Sequence, residues 1–408
     1  MATPAAFTHS RILDRDLATI SGIADPDIRA RWVALEDRLE RFCAAFRSEN
    51  LRAIEDRDEA EATRLYVRKL AEAELLQLVV PGAFGGAHPE VSATAICLAR
   101  QWLGRESGAL DTAFVMQGLG SYPVALAGRP ELAQRLLPAV ARGEQICAFA
   151  LTEPGAGSDV SGMQTLALPE RSDDPNGDLR LRGHKTFISN AGVASSYVVF
   201  AREAEPGADG KPRFGAFWLP GDSPGLSVEP MRVTAPHPIG TVHFDDVPVP
   251  AAHRLGAPGE GLRIALSNLD QFRATVGAAA LGIADRATAE SIAHLRSRTQ
   301  FGRPLAKQQG LRFAMAELAA DHVAAQLMVY RAAAARDRGD ATPDQPAMGK
   351  LLATEHAQRC VDRCVQNFGG RGVAVGEVPE RLYREVRALR IYEGTSEIQK
   401  LVIARALL

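Results

Sequence analysis

The sequence lacks the features that would place a protein in a membrane or on nucleic acid. No apolar run reaches the roughly 18 residues that a membrane-spanning helix needs, and residues 1–6 lack the basic start and apolar stretch of a signal peptide. The 47 basic and 49 acidic side chains leave a net charge of -2, so no overall field attracts nucleic acid or an anionic membrane. These absences predict a cytoplasmic protein with neither kind of partner.

Cysteine is also scarce. The 5 cysteines are scattered and odd in number, which argues against a disulfide framework and suits a reducing compartment. Only Cys360 and Cys364 share a helical face, and we expect them to be core residues rather than half of a metal site. The sequence therefore predicts no bound metal.

The spacing of the apolar residues divides the chain into three blocks. Helical spacing, as in Trp32, Leu35 and Leu39, gives way to short β-type runs such as 197–201 and then returns in long segments. We predict an N-terminal α-helical domain (1–143), a middle β-domain (144–260) and a C-terminal α-helical bundle with helices over 264–296, 308–337 and 345–368. This order excludes a doubly wound nucleotide-binding fold, which needs alternating strands and helices.

Two glycine-rich stretches are candidate ligand loops. Gly370-Arg371-Gly372 lies between helical segments rather than after a strand, so it fails the context test for a dinucleotide fingerprint. Residues 155–158 follow a strand, and such a loop can present backbone N–H groups and a hydroxyl to an anion. On local chemistry a plain tight turn explains this loop equally well.

Near the C-terminus, Glu393 stands between Tyr392 and Gly394. Burial beside the aromatic ring would raise the pKa of this carboxyl above about 4.3, toward the range of a general base. Gly394 would let the backbone approach a ligand without an intervening side chain. The alternative is a solvated glutamate in a helix-ending turn.

Together, five motifs resemble those of the acyl-CoA dehydrogenase family of flavoenzymes. They are LTEPGAGSD (151–159), GHKTFISNA (183–191), RTQFG (298–302), QNFGGRG (366–372) and IYEGTSEIQ (391–399). The resemblance implies an α+β fold with an N-terminal helical domain, a middle β-barrel or sandwich domain and a C-terminal four-helix bundle. This is also the block order seen in the spacing of the apolar residues.

The resemblance implies FAD as the cofactor, with contacts from two subunits. Within one subunit the flavin-lining positions of the family correspond to Phe149, Leu151, Thr152, Ser158, Phe187 and Ser189. Contacts with the pyrophosphate and adenosine of a neighbouring subunit's FAD correspond to Arg298, Gln300, Phe301, Gln309, Gln366, Gly369 and Gly370. Thr395 and Glu397 also fall at FAD-contacting positions. The planar fork of Arg298 suits a pyrophosphate, although an ordinary surface cation is the alternative.

For the substrate, the resemblance implies that Ser158, Asp270, Arg273 and Gly394 contact the acyl-CoA. The i, i+3 spacing of Asp270 and Arg273 would also suit a plain ion pair. A minority of the family carries its base immediately before this arginine, but here that residue is Phe272, which cannot take a proton. Glu393 is left as the base.

The activity implied is α,β-dehydrogenation of an acyl-CoA to the 2-enoyl-CoA in fatty acid metabolism. Glu393 would take the α-proton and the flavin N5 the β-hydride. A homotetramer built as a dimer of dimers is implied, with an electron-transferring flavoprotein as electron acceptor. The alternatives are an acyl-CoA oxidase or flavin monooxygenase on the same scaffold, a dehydrogenase acting on an acyl carrier protein thioester, and an inactive interaction scaffold.

Overall fold

A computed structural model describes residues 26–55, 57–171, 173–174, 177–207 and 210–408, with backbone only for residues 26–29. Residues 1–6, which lack the pattern of a signal peptide, lie outside these residues. Among the described helices, none combines the length and apolar character needed to cross a membrane.

Helices come before and after the strands, as the sequence predicts. The helices are α1 (Pro26–Ser48), α2 (Glu59–Glu72), α3 (Ala93–Glu106), α4 (Gly108–Ala127), α5 (Pro130–Ala141), α6 (Gly261–Ser297), α7 (Gln309–Arg338), α8 (Asp344–Phe368), α9 (Val378–Val386) and α10 (Ser396–Leu407). The three long helices predicted in the C-terminal block are confirmed as α6, α7 and α8. The fold class, α+β with a sheet domain between helical parts, is confirmed as well.

The strands form one large sheet and one short ribbon. They are β1 (Cys147–Ala150), β2 (Leu166–Pro169), β3 (Leu179–Ser189), β4 (Ser196–Glu203), β5 (Phe214–Pro220), β6 (Leu226–Pro230), β7 (Ile239–Val249), β8 (Arg254–Leu255), β9 (Thr299–Gln300) and β10 (Arg303–Pro304). In the sheet the order is β6-β7-β3-β2-β4-β5-β8, and β1 pairs with β4. β1 and β2 run parallel to β4, whereas the other pairs in the sheet are antiparallel.

Described residues group into two compact units. The first contains the described residues up to Leu51, Ala93–Asp111 and Gln271–Leu408, and the second contains Arg52–Ser92 and Thr112–Asp270. This division follows contacts within the chain, so it differs from a division by sequence blocks. The domain boundaries at 143/144 and 260/261 stay a prediction.

The first unit is built around α8. This helix packs against α7, α9 and α10, and α3 packs against α1 and α7. The inward face of α8 carries Cys360, Val361 and Cys364, all buried. All five cysteines of the chain are buried, which confirms Cys360 and Cys364 as core residues.

The second unit has its core on one face of the large sheet. Alternate side chains of β4 and β5, such as Tyr197, Val199, Phe217 and Leu219, are buried together. The residues between them, such as Val198, Phe200 and Ala216, are buried as well, so both faces of these two strands are covered. The sheet thereby becomes a rigid support for the loops at its strand ends.

Candidate active site

The segment around Glu393 has an unusual backbone. Glu393 has φ 53° and Gly394 φ 89°, so two consecutive residues lie in the left-handed region. For a residue with a side chain this conformation costs about 1–2 kcal/mol, and it persists only where neighbouring groups hold it. Thr395 then begins α10 as its N-cap, its hydroxyl oxygen accepting from the N–H of Ile398 at 3.3 Å.

Side chains from α6 and α10 hold this segment. The Gln399 amide donates to the carbonyl oxygen of Gly394 at 2.8 Å and to that of Glu393 at 3.4 Å. The Arg273 guanidinium donates to the Glu393 carbonyl at 3.4 Å and to Gln399 Oε1 at 3.3 Å. Arg273, predicted to contact CoA, is therefore engaged with the backbone of the base, an interaction that its sequence spacing does not reveal.

The carboxyl group of Glu393 has one buried oxygen and a shifted pKa. Its Oε2 is buried and has no hydrogen-bond partner among the described residues. Burial raises the pKa of Glu393, although the nearby cations Arg100, Lys350 and Arg273 act in the opposite direction. The raised pKa agrees with the expectation from sequence, and it makes the ionised carboxylate a stronger base.

An ion pair that the sequence reading missed contributes to the field at Glu393. Arg100 on α3 makes two hydrogen bonds to Asp111, at 2.9 Å and 2.7 Å, and a third to Thr275 Oγ1 at 3.0 Å. Arg100 is only 1 % exposed. The signal available in the sequence was an arginine at a helix position whose neighbours Leu98 and Leu103 belong to the apolar core.

In the second unit, two of the predicted flavin-lining segments lie side by side. The Lys185 ammonium on β3 donates to the carbonyl oxygen of Leu151 at 3.0 Å and to Glu153 Oε1 at 2.7 Å. The Thr186 N–H donates to the Thr152 carbonyl at 2.9 Å. The structure thus brings the segment that follows β1 against the interior of β3, with Lys185 and Glu153 as connecting residues that the sequence did not identify.

Phe187 lies in a β-bulge. The pairing of β3 with β7 shifts register between Lys185 and Ile188, and Phe187 has φ 55° with its side chain 58 % exposed. Bulges re-aim side chains and are common beside functional sites. The bulge therefore presents an aromatic ring at the surface of the unit, where a flat ligand can pack.

Ser189 ends the same strand beside His237. The His237 Nδ1 lies 2.9 Å from the carbonyl oxygen of Ala235, and its Nε2 lies 3.2 Å from Ser189 Oγ. Burial lowers the pKa of His237, which favours the neutral ring. Because Nδ1 must carry the proton to bond a carbonyl, Nε2 accepts from the Ser189 hydroxyl, and the serine oxygen stays free to accept from a ligand.

Of the other predicted residues of this unit, Phe149 lies on β1, Ser158 lies just beyond a tight turn, and Asp270 lies on α6. Glu153 and Ala156 exchange two backbone hydrogen bonds, at 3.1 Å and 3.0 Å, so part of the glycine loop is a closed turn. Ser158 just beyond it is exposed. The Phe149 ring packs 5.0 Å from that of Phe200, centroid to centroid. The turn is therefore observed, while anion binding by Ser158 stays a prediction.

In the first unit, the RTQFG motif forms a hairpin. β9 and β10 pair across a two-residue turn in which Phe301 has φ 51° and Gly302 φ 74°, the combination that type I′ turns require. Phe301 is 94 % exposed. Arg298, Gln300 and Gln309 are exposed as well. A bulky residue held in this conformation with its ring in solvent costs the isolated chain free energy.

The glycines after α8 form an open stretch of backbone. Gln366, Gly369 and Gly370 are exposed, and a Cβ added at either glycine would meet nothing within 4 Å. The backbone of Gly369, with φ 61° and ψ -137°, has a conformation that favours glycine. Among the described residues, no steric contact requires a glycine at position 370. The space above this backbone is therefore free for a close-fitting group. Glu397, at the start of α10, is also exposed.

No metal site accompanies these residues. His322 Nδ1 lies 3.2 Å from His356 Nε2, which lies 3.2 Å from Cys360 Sγ, one helical turn along α8. In the part of the chain that the structure describes, no group of three or more histidine, cysteine or acidic side chains could hold an ion.

Comparison with known proteins identifies the family. Models described as the N-terminal, middle and C-terminal domains of acyl-CoA dehydrogenase match residues 33–144, 148–247 and 259–408. A cyclohexane-1-carbonyl-CoA dehydrogenase of Geobacter metallireducens is 35% identical over 337 residues, which cover 82% of this chain and 86% of the relative. The chain belongs to the acyl-CoA dehydrogenase family. It is an oxidoreductase acting on CH–CH donors.

Solved structures agree with this assignment. Butyryl-CoA dehydrogenase from Megasphaera elsdenii has a TM-score of 0.83 at 29% identity, covering 91% of this chain and 98% of that one. An acyl-CoA dehydrogenase from Bacillus anthracis, complexed with FAD, has a TM-score of 0.82 at 28% identity, covering 92% of this chain and 67% of that one. FAD is the cofactor of this dehydrogenase.

The residues present fit FAD. Phe187 and Phe301 present exposed rings on left-handed backbone, Gly369 and Gly370 leave their backbone uncovered, and Arg298 is an exposed cation. Aromatic rings suit a flat heterocycle, and a bare backbone and an arginine suit a pyrophosphate. These are the residue types that a flavin dinucleotide needs, although each unit presents only part of the set.

Proposed function

We propose that the enzyme removes the α-proton and the β-hydride of an acyl-CoA thioester, with Glu393 as the base, and releases the 2-enoyl-CoA. FAD, when bound, supplies the hydride acceptor that no side chain can provide. The observation that carries the proposal is Glu393 itself, a carboxyl with a raised pKa and a buried oxygen lacking a hydrogen-bond partner among the described residues. An oxygen of this kind can accept a proton without first breaking an internal bond.

The backbone at Glu393 has a second role in the proposal. Its N–H would hold the thioester carbonyl, which acidifies the α-carbon as negative charge develops on the oxygen. The left-handed turn, anchored by Gln399 and Arg273, fixes this N–H relative to the carboxylate of the same residue. Gly394 leaves room for the Gln399 side chain, since a Cβ there would lie 2.6 Å from Gln399 Nε2. Ser158, Asp270, Arg273 and Gly394 are the proposed contacts to acyl-CoA.

The remaining assignments concern FAD. Phe149, Leu151, Thr152, Ser158, Phe187 and Ser189 would bind it within one subunit, and Arg298, Gln300, Phe301, Gln309, Gln366, Gly369, Gly370, Thr395 and Glu397 would complete the binding, mostly from a neighbouring subunit. This arrangement supports a homotetramer, or at minimum a homodimer. Analytical ultracentrifugation tests it, because a monomer that retains stoichiometric FAD would contradict contacts from a second subunit.

We further propose an acyl group that is small or alicyclic. The support is that the Geobacter relative is named for cyclohexane-1-carbonyl-CoA and the Megasphaera structure for butyryl-CoA. With an artificial dye acceptor, kcat/KM for cyclohexane-1-carbonyl-CoA or butyryl-CoA should exceed that for palmitoyl-CoA by about 10-fold or more, since each misfitted methylene changes binding measurably. A preference for palmitoyl-CoA would overturn this part of the proposal.

The activity is tested by anaerobic mixing of the oxidised holoenzyme with acyl-CoA. The flavin absorbance should bleach and one equivalent of 2-enoyl-CoA should appear by mass spectrometry; bleaching without enoyl product would contradict the reaction. Admitting air separates the alternatives. Slow reoxidation fits a cytoplasmic dehydrogenase of fatty acid metabolism that passes electrons to an electron-transferring flavoprotein, whereas reoxidation within seconds would indicate an oxidase.

A further inference from the structure

The carbonyl groups on either side of Glu393 bind one buried lysine. Lys350 of α8 donates from Nζ to the carbonyl oxygen of Tyr392 at 2.6 Å and also to that of Gly394. Lys350 is only 1 % exposed, and its helix neighbours Ala347 and Ala353 are fully buried. An ammonium in such surroundings has lost its hydration, and its charge is stabilised by these two carbonyl dipoles and by the carboxylate of Glu393.

Stability alone does not explain a lysine at this position. Burial lowers the pKa of Lys350, which means that the surroundings disfavour its charge. An apolar side chain of the same length would fill the space without that penalty. Buried groups of this kind with shifted pKa values concentrate at functional sites.

The contacts of Lys350 are those that a left-handed turn needs. Lys350 donates to the carbonyl oxygens of Tyr392 and Gly394. Gln399 donates to those of Glu393 and Gly394. Each carbonyl of the turn therefore accepts a hydrogen bond from a side chain. The same helix also anchors both ends of the segment, because Glu355 accepts from Arg390 Nε at 2.9 Å and from Ser396 Oγ at 2.6 Å. α8 thus fixes the turn at its ends and at its centre.

We propose that Lys350 is a positioning residue for the base: its ammonium bridges the carbonyls on both sides of Glu393, holds the turn in its left-handed form and adds a positive charge that keeps the carboxylate ionised. This inference rests on the proposed function of Glu393. The charged groups that act on Glu393 are Arg100 from α3, Asp111 from α4, Arg273 from α6 and Lys350 from α8. Of these cations, Lys350 is the one bound to the backbone on both sides of the base.

The test compares Lys350→Met and Lys350→Arg holoenzymes with the wild type. Lys350→Met should retain FAD and bind acyl-CoA within about 3-fold, while flavin bleaching slows about 10- to 100-fold, because the base is displaced rather than removed. Its acidic limb in the pH profile of bleaching should move up by about one pH unit, since an opposite charge near the carboxylate is lost. Lys350→Arg keeps the charge, so the limb should return toward its wild-type position.

A readout that does not depend on turnover accompanies the kinetics. Infrared difference spectra of Lys350→Met against Lys350→Met/Glu393→Gln should show the protonated-carboxyl band of Glu393 persisting to higher pH than in the corresponding wild-type pair. Lys69→Met, the same side-chain change at a surface position of α2, should alter neither readout. If Lys350→Met does not fold, Lys350→Gln, which keeps a donor and removes the charge, carries the same expected shift.

The outcomes separate this inference from the function on which it rests. If Glu393→Gln is inactive but Lys350→Met bleaches at the wild-type rate with an unmoved acidic limb, the role of Lys350 is wrong and the base assignment stands. If Glu393→Gln bleaches normally, the proposed function itself fails. Flavin bleaching could also be slow in Lys350→Met while the acidic limb of its pH profile and the carboxyl band of Glu393 stay at the wild-type pH. That result would overturn the electrostatic role of Lys350.

Discussion

Arg100 and Asp111 form a two-bond ion pair in the interior of the first unit, with Nε to Oδ1 at 2.9 Å and NH2 to Oδ2 at 2.7 Å. Both charges act on Glu393, the arginine lowering its pKa and the aspartate raising it. Asp111 therefore offsets part of the effect of Arg100, and burial is left as the dominant influence on the base. Through their charges, Arg100 and Asp111 therefore act on the pKa of Glu393 in opposite directions.

Asp111→Asn should lower the pKa of Glu393, because the substitution removes a negative charge and leaves Arg100 free to favour the carboxylate. The acidic limb in the pH profile of flavin bleaching should move to lower pH. Arg100→Met should move it to higher pH. Both variants should lose about 3–5 kcal/mol of stability because a buried partner is left unpaired, so denaturant unfolding is measured beside the kinetics. Shifts of the same sign in both variants would contradict the proposed electrostatics.

Gly394→Ala should slow catalysis more than its backbone strain alone explains. An added Cβ would lie 2.6 Å from Gln399 Nε2 and 3.2 Å from an Arg273 nitrogen, and it would displace both from the turn. We expect kcat to fall about 10- to 100-fold with FAD retained, since small misplacements of a base are costly. Gly376→Ala is the matched control, because Gly376 has φ 92° but a Cβ there meets nothing within 4 Å. Equal losses of kcat in both variants would show that displacing Gln399 and Arg273 does not contribute to the loss.

Lys185→Met should loosen the flavin-lining segments of the second unit. It removes the donor to the Leu151 carbonyl and the cation that pairs with Glu153, whose carboxylate keeps its hydrogen bonds from the backbone N–H groups of Gln164 and Thr165. FAD content after gel filtration should therefore fall, and stability should drop by about 3–5 kcal/mol. Lys185→Met/Glu153→Gln should recover part of that stability. An unchanged FAD content in both variants would contradict this role.

Lys185→Met should also change how the stability of the fold depends on pH. Burial lowers the pKa of Lys185 from 10.5 to about 8, although Glu153 acts to raise it. Between these two values the unfolded chain binds more protons than the folded chain, so this group makes wild-type stability rise with pH there. In Lys185→Met that rise should disappear, which chemical denaturation across the window measures.

His322 should stabilise the fold mainly at mildly acidic pH. Its Nε2 lies 3.1 Å from Asp285 Oδ1, and although burial lowers the pKa of His322, Asp285 outweighs burial and raises it above 6.5. Burial of Asp285 is likewise outweighed by His322 and its other partners, so the pKa of that carboxyl falls below 3.8. The pair therefore contributes fully between 3.8 and 6.5 and loses its contribution as pH rises through the folded pKa of the histidine.

The corresponding measurement is denaturant unfolding of His322→Asn at about pH 5.5 and about pH 8.5, where the loss should be larger at the lower pH by about 1 kcal/mol. Asp321→Asn, which breaks the exposed pair of Asp321 with Arg359 at 3.0 Å, is the control and should cost no more than about 0.5 kcal/mol at either pH. A loss in His322→Asn that does not change with pH would contradict the ion pair.

Local signals made much of the fold predictable. The helical period over 345–368 predicts α8, and the continuous run of mostly β-branched and aromatic residues at 197–201 predicts β4, in which all five are buried. Motif resemblance likewise led to Glu393, whose left-handed backbone followed by a glycine and an N-cap threonine is a local feature. The role of this residue remains a proposal.

The surroundings of Glu393 could not be derived locally. Arg100 is 293 positions from Glu393 in the numbering, and only tertiary packing makes the two interact. The bulge at Phe187 could not be predicted from the sequence either, because a register shift depends on the partner strand as well as on the strand's own sequence. The signal that the sequence did contain was a charged residue among apolar neighbours in a helix, as at Arg100 and Lys350. Charged side chains of this kind are rarely buried unless they are paired with another group.

The central claim, that Glu393 takes the α-proton, is tested most directly by anaerobic stopped-flow mixing of Glu393→Gln with acyl-CoA. Glutamine keeps the shape of the side chain and the backbone N–H but cannot act as the base, so FAD content and acyl-CoA binding should stay near wild type. Flavin bleaching should slow by at least about 10²–10⁴-fold, the range of general-base contributions. Bleaching at a near wild-type rate would contradict the account and place the base on another carboxylate.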